Sequence, residues 1–371
     1  MPVSVRLTRP GPPCILSFLP ICLKSLGFFG ESSRWVWSCS SGPPAQSSAR
    51  QGGTVRRLPR IDRSKVRTVP ARRRPSKVKR TEEARPHEAG ASFSAFVDSL
   101  PAILGAEDLR AAVAATARAK RRNKTILWGF GAHLIKVGLA PVVVDLMERG
   151  LVTGLLMNGA GCVHDLELAM MGRTSEDVGP ALDDGTFGMA KETTERLNGA
   201  IRAGADDGIG MGAAVGRELL EGRYRHKDRS VLATAARLDI PVTVHAAIGT
   251  DIHHMHASAD GAAIGATSFR DFETLASLVA TLEGGVLFNI GSAVILPEVF
   301  LKALALARNL GHNVKSFTTV NLDFIRQYRP TVNVVERPTR LGGRGISLVG
   351  HHEILVPLLA AAVIEALEGK G

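Results

Sequence analysis

Short apolar runs without polar alternation are the feature that most constrains the fold of this chain. From residue 91 onward such runs, for example VLFNI at 286–290, end near Gly, Asn, Thr or Asp and alternate with amphipathic helical segments. Runs of this kind suit parallel strands buried on both faces of a sheet. The pattern therefore predicts an α/β fold with a doubly wound, mostly parallel sheet.

The positions of the elements follow from the same periodicity. Strands are predicted at residues 125–128, 152–157, 242–245, 286–289 and 314–319. Helices are predicted at residues 107–121, 141–149, 163–171, 189–203, 209–220, 230–238, 269–283, 297–310 and 351–368. No repeat of solenoid or propeller length interrupts this order. In such sheets ligands bind at the carboxyl ends of the strands, so the segments after each strand are where chemistry is expected.

The basic charge of the chain lies in its N-terminal quarter. Residues 1–90 contain 18 of the 46 Lys and Arg residues and 5 of the 35 Asp and Glu residues, which leaves 28 basic and 30 acidic residues for 91–371. A nucleic-acid partner is therefore not indicated for residues 91–371. We expect 1–90 to be a disordered extension and 91–371 to be one α/β domain. A targeting segment, a basic RNA or membrane tether, and a mis-assigned start near residues 55–66 remain alternatives for the extension.

Cysteines and apolar runs argue for a reducing, non-membrane location. Cys162 is the only one of four cysteines in residues 91–371, so no disulfide framework is expected there. The apolar run at 14–29 is broken by Pro20 and Lys24 and is too short to span a bilayer. These features favour the cytoplasm and predict no membrane partner.

The segment after the second strand is the first candidate site. A strand that ends at a glycine turn and opens a helix presents backbone N–H groups to a phosphate. Two turns of this type occur, at residues 129–131 and 159–161, and neither has the third glycine of the dinucleotide fingerprint, so a plain structural turn is the alternative. His164 among carboxylates fits a proton carrier or a ribose contact better than a helix cap. The candidate residues here are Asn158, Gly159, Ala160, Gly161, His164, Asp165 and Glu167.

The segment after the third strand is rich in histidine. Gly249, Thr250 and Asp251 are expected to contact a cofactor or substrate. A metal is not expected, because His253, His254 and His256 are too close together to converge easily from a strand or a helix. A metal-dependent enzyme using residues 245–256 is kept as a rival, and a plain surface loop is a further alternative.

Two later strand ends complete the candidate set. Small and polar residues after the fourth and fifth strands can hold a ribose, although simple strand-to-helix turns explain them equally well. The candidates are Gly291, Ser292, Thr318, Thr319, Asn321 and Asp323. Residues 336–345 are predicted to be a flexible cationic loop that closes over an anion or stays solvated.

Taken in order, these motifs resemble the deoxyhypusine synthase family. The matching segments lie within residues 120–365 and are Asn158-Gly159-Ala160-Gly161 with Asp165 and Glu167, Ile240-Pro241-Val242 ahead of Gly249-Thr250-Asp251, Gly285-Val286-Leu287-Phe288 leading to Gly291, and Val356-Pro357-Leu358-Leu359. The resemblance implies an NAD-binding fold, a cytoplasmic homotetramer with active sites at dimer interfaces, and a transferase that acts on spermidine through a lysine-bound imine. It also implies that these loops line the NAD and amine pocket.

The chain departs from the family where its chemistry is performed. The family's active-site Lys belongs in the Gly-rich loop before the last helix, where this chain has Arg340 and Arg344. Arginine cannot form the imine. The family's active-site His falls after Gly291, where this chain reads Ile295-Leu296-Pro297-Glu298.

The sequence thus predicts an NAD-dependent enzyme that acts on spermidine or a related amine with altered chemistry. His164 and His254 are the candidate proton carriers, and Glu298 is expected with Asp251 to attract ammonium groups. A catalytically silent nucleotide-binding or assembly protein of the same fold is the alternative.

Overall fold

A computed structural model describes residues 58–368 of the chain. The chain divides into two compact units, Met1–Pro70 and Ala71–Gly371. In the first unit the described residues contain one short 3-10 helix, Arg63–Lys65. The expectation for residues 14–29, and most of that for the extension, lies outside the described residues.

The second unit is built on a six-stranded parallel sheet. Its strand order is β3-β2-β1-β4-β5-β6, and every neighbouring pair is parallel. The order reverses between β1 and β4, which is the topological switch point of a doubly wound sheet. The predicted fold class is therefore confirmed. The strands are β1 Ile126–Phe130, β2 Gly154–Asn158, β3 Val242–His245, β4 Val286–Ile290, β5 Thr318–Asp323 and β6 Arg344–Val349.

Helices connect the strands and cover the sheet. They are α1 Phe93–Ser99, α2 Leu104–Arg121, α3 Ala132–Lys136, α4 Ala140–Glu148, α5 Gly159–Met171, α6 Val178–Asp183, α7 Lys191–Asp206, α8 Met211–Glu221, α9 Val231–Arg237, α10 Gly261–Ala280, α11 Ile295–Asn309, α12 Tyr328–Pro330 and α13 His352–Glu368. A π-helical segment, Thr331–Glu336, follows α12. Short 3-10 helices occupy Ala71–Arg73, Arg80–Glu82, Lys227–Arg229 and Ile252–Met255.

The core consists of two layers, one on each face of the sheet. Ile126, Trp128 and Phe130 of β1 pack into one buried apolar cluster, whereas Leu127 packs into the other. This alternation follows from the two-residue period of a strand. The strands are buried on both faces, which is why their sequences lack polar alternation.

Two sequence predictions about strands are wrong. The fifth strand was placed at 314–319, but β5 is Thr318–Asp323. The cationic loop at 336–345 ends in an unpredicted edge strand, β6, which pairs with β5 from Arg344 onward. Polar residues explain both errors, because β5 contains buried Thr, Asn and Asp, and β6 begins with Arg and Gly.

A search of the helices within residues 58–368 finds none that combines the length and apolar character needed to cross a membrane.

Candidate functional site

The carboxyl ends of the six strands define one edge of the sheet, and most of the candidate residues lie after them. β2 ends at Asn158 and β3 ends at His245, which are paired in register. The segments that follow β1, β2 and β3 enclose a cavity of about 170 Å³. It is lined by Lys136, Ala160, Val163, His164, Glu167, Ser175, Glu176, Val178, Phe187, Thr250, Asp251 and Ile252.

This cavity brings together two segments that the sequence singled out. Ala160, His164 and Glu167 come from α5, whereas Thr250 and Asp251 come from the segment after β3. Four larger grooves found among the described residues, of about 250, 580, 630 and 680 Å³, contain none of the candidate site residues. The cavity is therefore our candidate substrate site.

A hydrogen-bonded relay joins two of the cavity residues. Thr174 Oγ1 donates a hydrogen bond to Glu167 Oε2 and lies 2.6 Å from His164 Nδ1. Because the hydroxyl has one proton and gives it to the carboxylate, it accepts from Nδ1–H, which leaves the lone pair of the neutral ring on Nε2. Burial, helped by the charge of Lys136, lowers the pKa of His164 to about 4. His164 is thus neutral near pH 7 and has a nitrogen able to accept a proton.

Asp251 lies against the first turn of α5. A Cβ added to Gly159 would lie 2.1 Å from Asp251 Oδ2, so glycine is required at this close approach. Burial raises the pKa of Asp251 to about 6, although the backbone N–H of Ala160 favours the ionised form. Its Oδ2 is buried and has no hydrogen-bond partner.

Asp165 has a different environment, only two residues from Glu167. Its oxygens accept from Ser230 Oγ at 2.6 Å, Val231 N–H at 3.0 Å and Leu232 N–H at 2.9 Å. These bonds cap the start of α9 and hold it against α5. Burial raises the pKa of Asp165, and the three bonds oppose that rise. Its carboxylate oxygens are therefore engaged within the protein, and Asp165 does not line the cavity.

The 3-10 helix after β3 concentrates buried imidazoles. His253 is fully buried, and its ring lies 4.3 Å, centroid to centroid, from that of His254. His254 Nδ1 accepts from Gly249 N–H at 3.1 Å. Burial lowers the pKa of both rings, to about 4 for His253. His245 and His256 are separate from this group, because they are engaged with Thr243 and Ser258.

The switch point between β1 and β4 forms a second polar region, which we call the crevice. Asn289 Nδ2 donates to Asn321 Oδ1 at 2.7 Å and to the carbonyl of Ser292 at 2.9 Å. Ser292 Oγ accepts from Leu296 N–H at the start of α11. Gly291 N–H donates to Leu322 O, and Asp323 caps the turn after β5 through Phe324 N–H.

Thr318 and Thr319 do not lie in the crevice. They begin β5, and Thr318 is paired in register with Val286 at the start of β4. Thr319 Oγ1 donates to Val334 O at 2.8 Å. Their predicted position beside Asp323 is corrected, because the strand starts where it was expected to end. They lie toward the amino edge of the sheet.

Glu298 belongs to a surface ion-pair network. Its carboxylate pairs with Lys302 and lies 3.4 Å from Arg329 Nε, and it accepts from Asn333 Nδ2 at 2.9 Å. The hydrogen bond from Lys302 is the main cause of its lowered pKa. An ammonium ligand would have to compete with two cations for this carboxylate.

The α5 turn is poorly suited to the phosphate groups of a dinucleotide. At α5 the N–H of Gly161 donates to Asn158 Oδ1, and the Asp251 carboxylate lies over Gly159 and Ala160, which disfavours a phosphate. In the crevice, Asn289 Oδ1 is buried without a partner, whereas Ser292 Oγ accepts from Leu296 N–H at the start of α11. The unpartnered acceptor of Asn289 is therefore the feature of this switch point that a ligand could satisfy.

Sequence reasoning missed three groups near these sites. Lys136 lines the cavity and lies on the short helix after β1. Thr174 completes the relay from outside the motif. His352 at the start of α13 is buried and donates from Nε2 to Leu322 O at the crevice. His352 could have been found from the sequence, because the pair His351-His352 follows a Gly-rich segment. No sequence signal pointed to Lys136 or Thr174.

Comparisons with known proteins give distant likenesses. No protein-family model and no curated protein matches this chain. A candidate deoxyhypusine synthase from Entamoeba histolytica is 12% identical with a TM-score of 0.46, over 78% of this chain and 98% of that one. A candidate LOR/SDH protein from Methanococcus maripaludis S2 is 14% identical with a TM-score of 0.44, over 75% and 72% of the two chains.

A third group of similar structures consists of larger enzymes. The complex of AgrE with ornithine and NAD+ is 16% identical with a TM-score of 0.45 and is matched over 72% of this chain. The cyanobacterial arginine dihydrolase ArgZ is 16% identical with a TM-score of 0.44 over 71% of this chain. The chain spans 34% and 33% of their lengths. Likenesses this distant establish no activity, substrate or cofactor for this chain.

Proposed function

We propose that this protein is an NAD-dependent enzyme that acts on spermidine or a related amine. One observation carries the proposal: a cavity lined by Glu167, Glu176 and Asp251 lies after the carboxyl ends of β1–β3. Lys136 is the one lysine or arginine among its lining residues. This excess of carboxylates favours a substrate with more than one ammonium group.

The crevice is the proposed site of NAD. Asn289, Gly291 and Ser292 would hold the nucleotide there, with Asn321 fixing the amide of Asn289. When bound, NAD supplies a hydride acceptor. The α5 turn, including Asn158 and Gly161, is left to position the cavity rather than the pyrophosphate.

His164 is the proposed proton acceptor. Oxidation of an amine breaks the C–H bond beside nitrogen, its electron pair leaves as hydride, and a C=N bond forms as nitrogen loses a proton. The lone pair on His164 Nε2 accepts that proton, and the hydrogen bonds through Thr174 to Glu167 fix the orientation of the ring. The carboxylate of Glu176 binds a second ammonium group.

Group transfer is the second step open to this site. The loop expected to contain the family's Lys has Arg340 and leads into β6 at Arg344, so it offers no amine nucleophile. Lys136 is the lysine that lines the cavity. Once its Nζ has lost a proton, it can attack the carbon of the substrate's C=N bond; the bond from that carbon to the substrate nitrogen then breaks, and the rest of the substrate leaves as an amine. Trapping with borohydride and mass spectrometry of the peptide containing Lys136 tests this step.

Calorimetric titration of the full chain with NAD, repeated with spermidine present, tests the proposal. We expect saturable NAD binding that strengthens when spermidine is present, because both ligands lie along one edge of the sheet. NAD binding that spermidine leaves unchanged favours the alternative, a silent nucleotide-binding protein, which the absence of a lysine from residues 336–345 supports. A cytoplasmic homo-oligomer is part of the proposal, and sedimentation of the full chain tests its assembly.

A further inference from the structure

Four buried side-chain atoms around the 3-10 helix Ile252–Met255 have no hydrogen-bond partner. They are Asp251 Oδ2, both ring nitrogens of His253, and His254 Nε2. Buried polar atoms are nearly always paired, and an unpaired one costs about 1–3 kcal/mol. Four unpaired polar atoms in one short segment therefore indicate that a ligand binds there.

The three side chains are also mutually close. One ligand atom from each lies within 4.8 Å of the others, and His254 Nε2 is 4.0 Å from Asp251 Oδ2. Ligands at about 2.1 Å from a tetrahedral ion are separated by about 3.4 Å, so binding requires these atoms to approach one another by up to about 1.4 Å. On a strand or an α-helix these neighbouring side chains would diverge, whereas the 3-10 turn observed here brings them together.

We propose that Asp251, His253 and His254 bind a divalent transition-metal ion of the Zn²⁺ class. Two imidazoles and a carboxylate are a ligand set that such ions prefer, and three protein ligands leave a coordination position for water or substrate. Asp251 also lines the cavity, so the ion lies at its wall. The inference stands on these contacts and does not depend on NAD or amine binding.

His254 must change its protonation to bind the ion. Gly249 N–H donates to Nδ1, so the neutral ring carries its proton on Nε2, the nitrogen that faces Asp251. Metal binding removes that proton and requires an acceptor for a proton on Nδ1. The adjacent turn can supply this acceptor.

One peptide of the turn at residues 247–250 can reverse to supply this acceptor. Thr250 N–H donates to Ala247 O at 3.0 Å, and Gly249 has φ +89°, which together define a type II turn. Reversal of the peptide between Ile248 and Gly249 gives a type I turn and replaces the Gly249 N–H with the Ile248 carbonyl. That carbonyl then accepts from Nδ1–H of a metal-bound His254.

Zn²⁺ titration of the metal-free full chain tests the site, with Co²⁺ as a spectroscopic probe. We expect one equivalent of Zn²⁺ to bind, and Co²⁺ to give visible absorption bands of four- or five-coordinate geometry. Asp251→Asn, His253→Gln and His254→Gln should each weaken Zn²⁺ binding by about 100-fold or more. His256→Gln is the matched control, because that ring bonds to Ser258 and lies outside the cluster.

Two results overturn the proposal. One is a wild-type chain that binds no Zn²⁺, and the other is Zn²⁺ binding that survives unchanged in folded ligand variants. Circular dichroism establishes folding, and Asp251→Asn keeps the test decisive if replacement of the fully buried His253 prevents folding. Calorimetry with NAD and spermidine in the metal-free protein reports separately on the proposed function.

Discussion

Two regions beside α5 contain buried carboxylates and use them in opposite ways. In the first, Asp165 and Asp271 accept hydrogen bonds from backbone N–H groups of α9, α8 and β3. In the second, the cavity wall, Asp251 Oδ2 is buried with no partner and lies beside two unpartnered imidazoles. Paired carboxylates hold elements together, whereas unpaired ones mark where a ligand is needed.

The first and largest expected effect comes from breaking the structural region. Asp271→Ala removes the acceptor of Gly212 N–H at 2.9 Å and Val244 N–H at 2.8 Å. Asp165→Ala likewise frees the first N–H groups of α9. Each variant should lower the free energy of unfolding by about 2–5 kcal/mol, because buried donors lose their partner. Urea unfolding measures this, and a loss below about 1 kcal/mol would contradict a structural role.

Replacement of the cavity carboxylate Asp251 should change the pH dependence of stability. A carboxyl with its pKa raised to about 6 in the folded state stabilises the fold at low pH and loses that contribution as pH rises through 6. Without metal, Asp251→Asn should therefore gain stability relative to wild type between pH 4 and pH 7. Urea unfolding in EDTA at several pH values measures the difference. A gap that stays constant with pH would show that Asp251 is not held in this environment.

Removal of one cavity carboxylate should weaken amine binding. Glu176→Gln keeps the shape of the side chain and its acceptor for Gly188 N–H but removes a charge from the wall. We expect spermidine affinity to fall about 10-fold, the usual scale of a charged hydrogen bond. Glu353→Gln is the matched control, because Glu353 does not line the cavity. If calorimetry gave equal spermidine affinities for the two variants, the cavity would not be the amine site.

The smallest effect is expected at Glu298, which the sequence assigned to the amine. Its pairing with Lys302, Arg329 and Asn333 leaves it engaged on the surface. Glu298→Gln should leave spermidine affinity within about 2-fold of wild type, since the effects of exposed ion pairs are small and screened. A loss as large as that of Glu176→Gln would restore the original assignment.

Much of the fold was predictable because apolar runs report burial on both faces of a sheet. β3 was predicted at its observed bounds, and β1, β2 and β4 were displaced by at most two residues at either end. β5 was predicted at shifted bounds and β6 was not predicted, because polar residues in these strands are stabilised by contacts with other strands. The amide pair of Asn289 and Asn321 makes a polar strand acceptable in the core, and that pairing is invisible in one segment.

The roles within the candidate site were less predictable than its location. Residues two apart on a helix point in different directions, so Asp165 faces α9 while Glu167 faces the cavity. His164 and Glu167, three apart, share a face, which the sequence spacing does indicate. The cluster of Asp251 with His253 and His254 depends on a 3-10 turn that the sequence pattern did not predict.

The most direct test of the account is the formation of NADH when the full chain is mixed with NAD and spermidine. We expect the NADH absorbance to rise when the wild-type protein is present. We expect His164→Gln to slow this rise by about 100-fold or more, because the proton acceptor is lost. Absence of NADH from wild-type protein saturated with both ligands would contradict an amine-oxidising site.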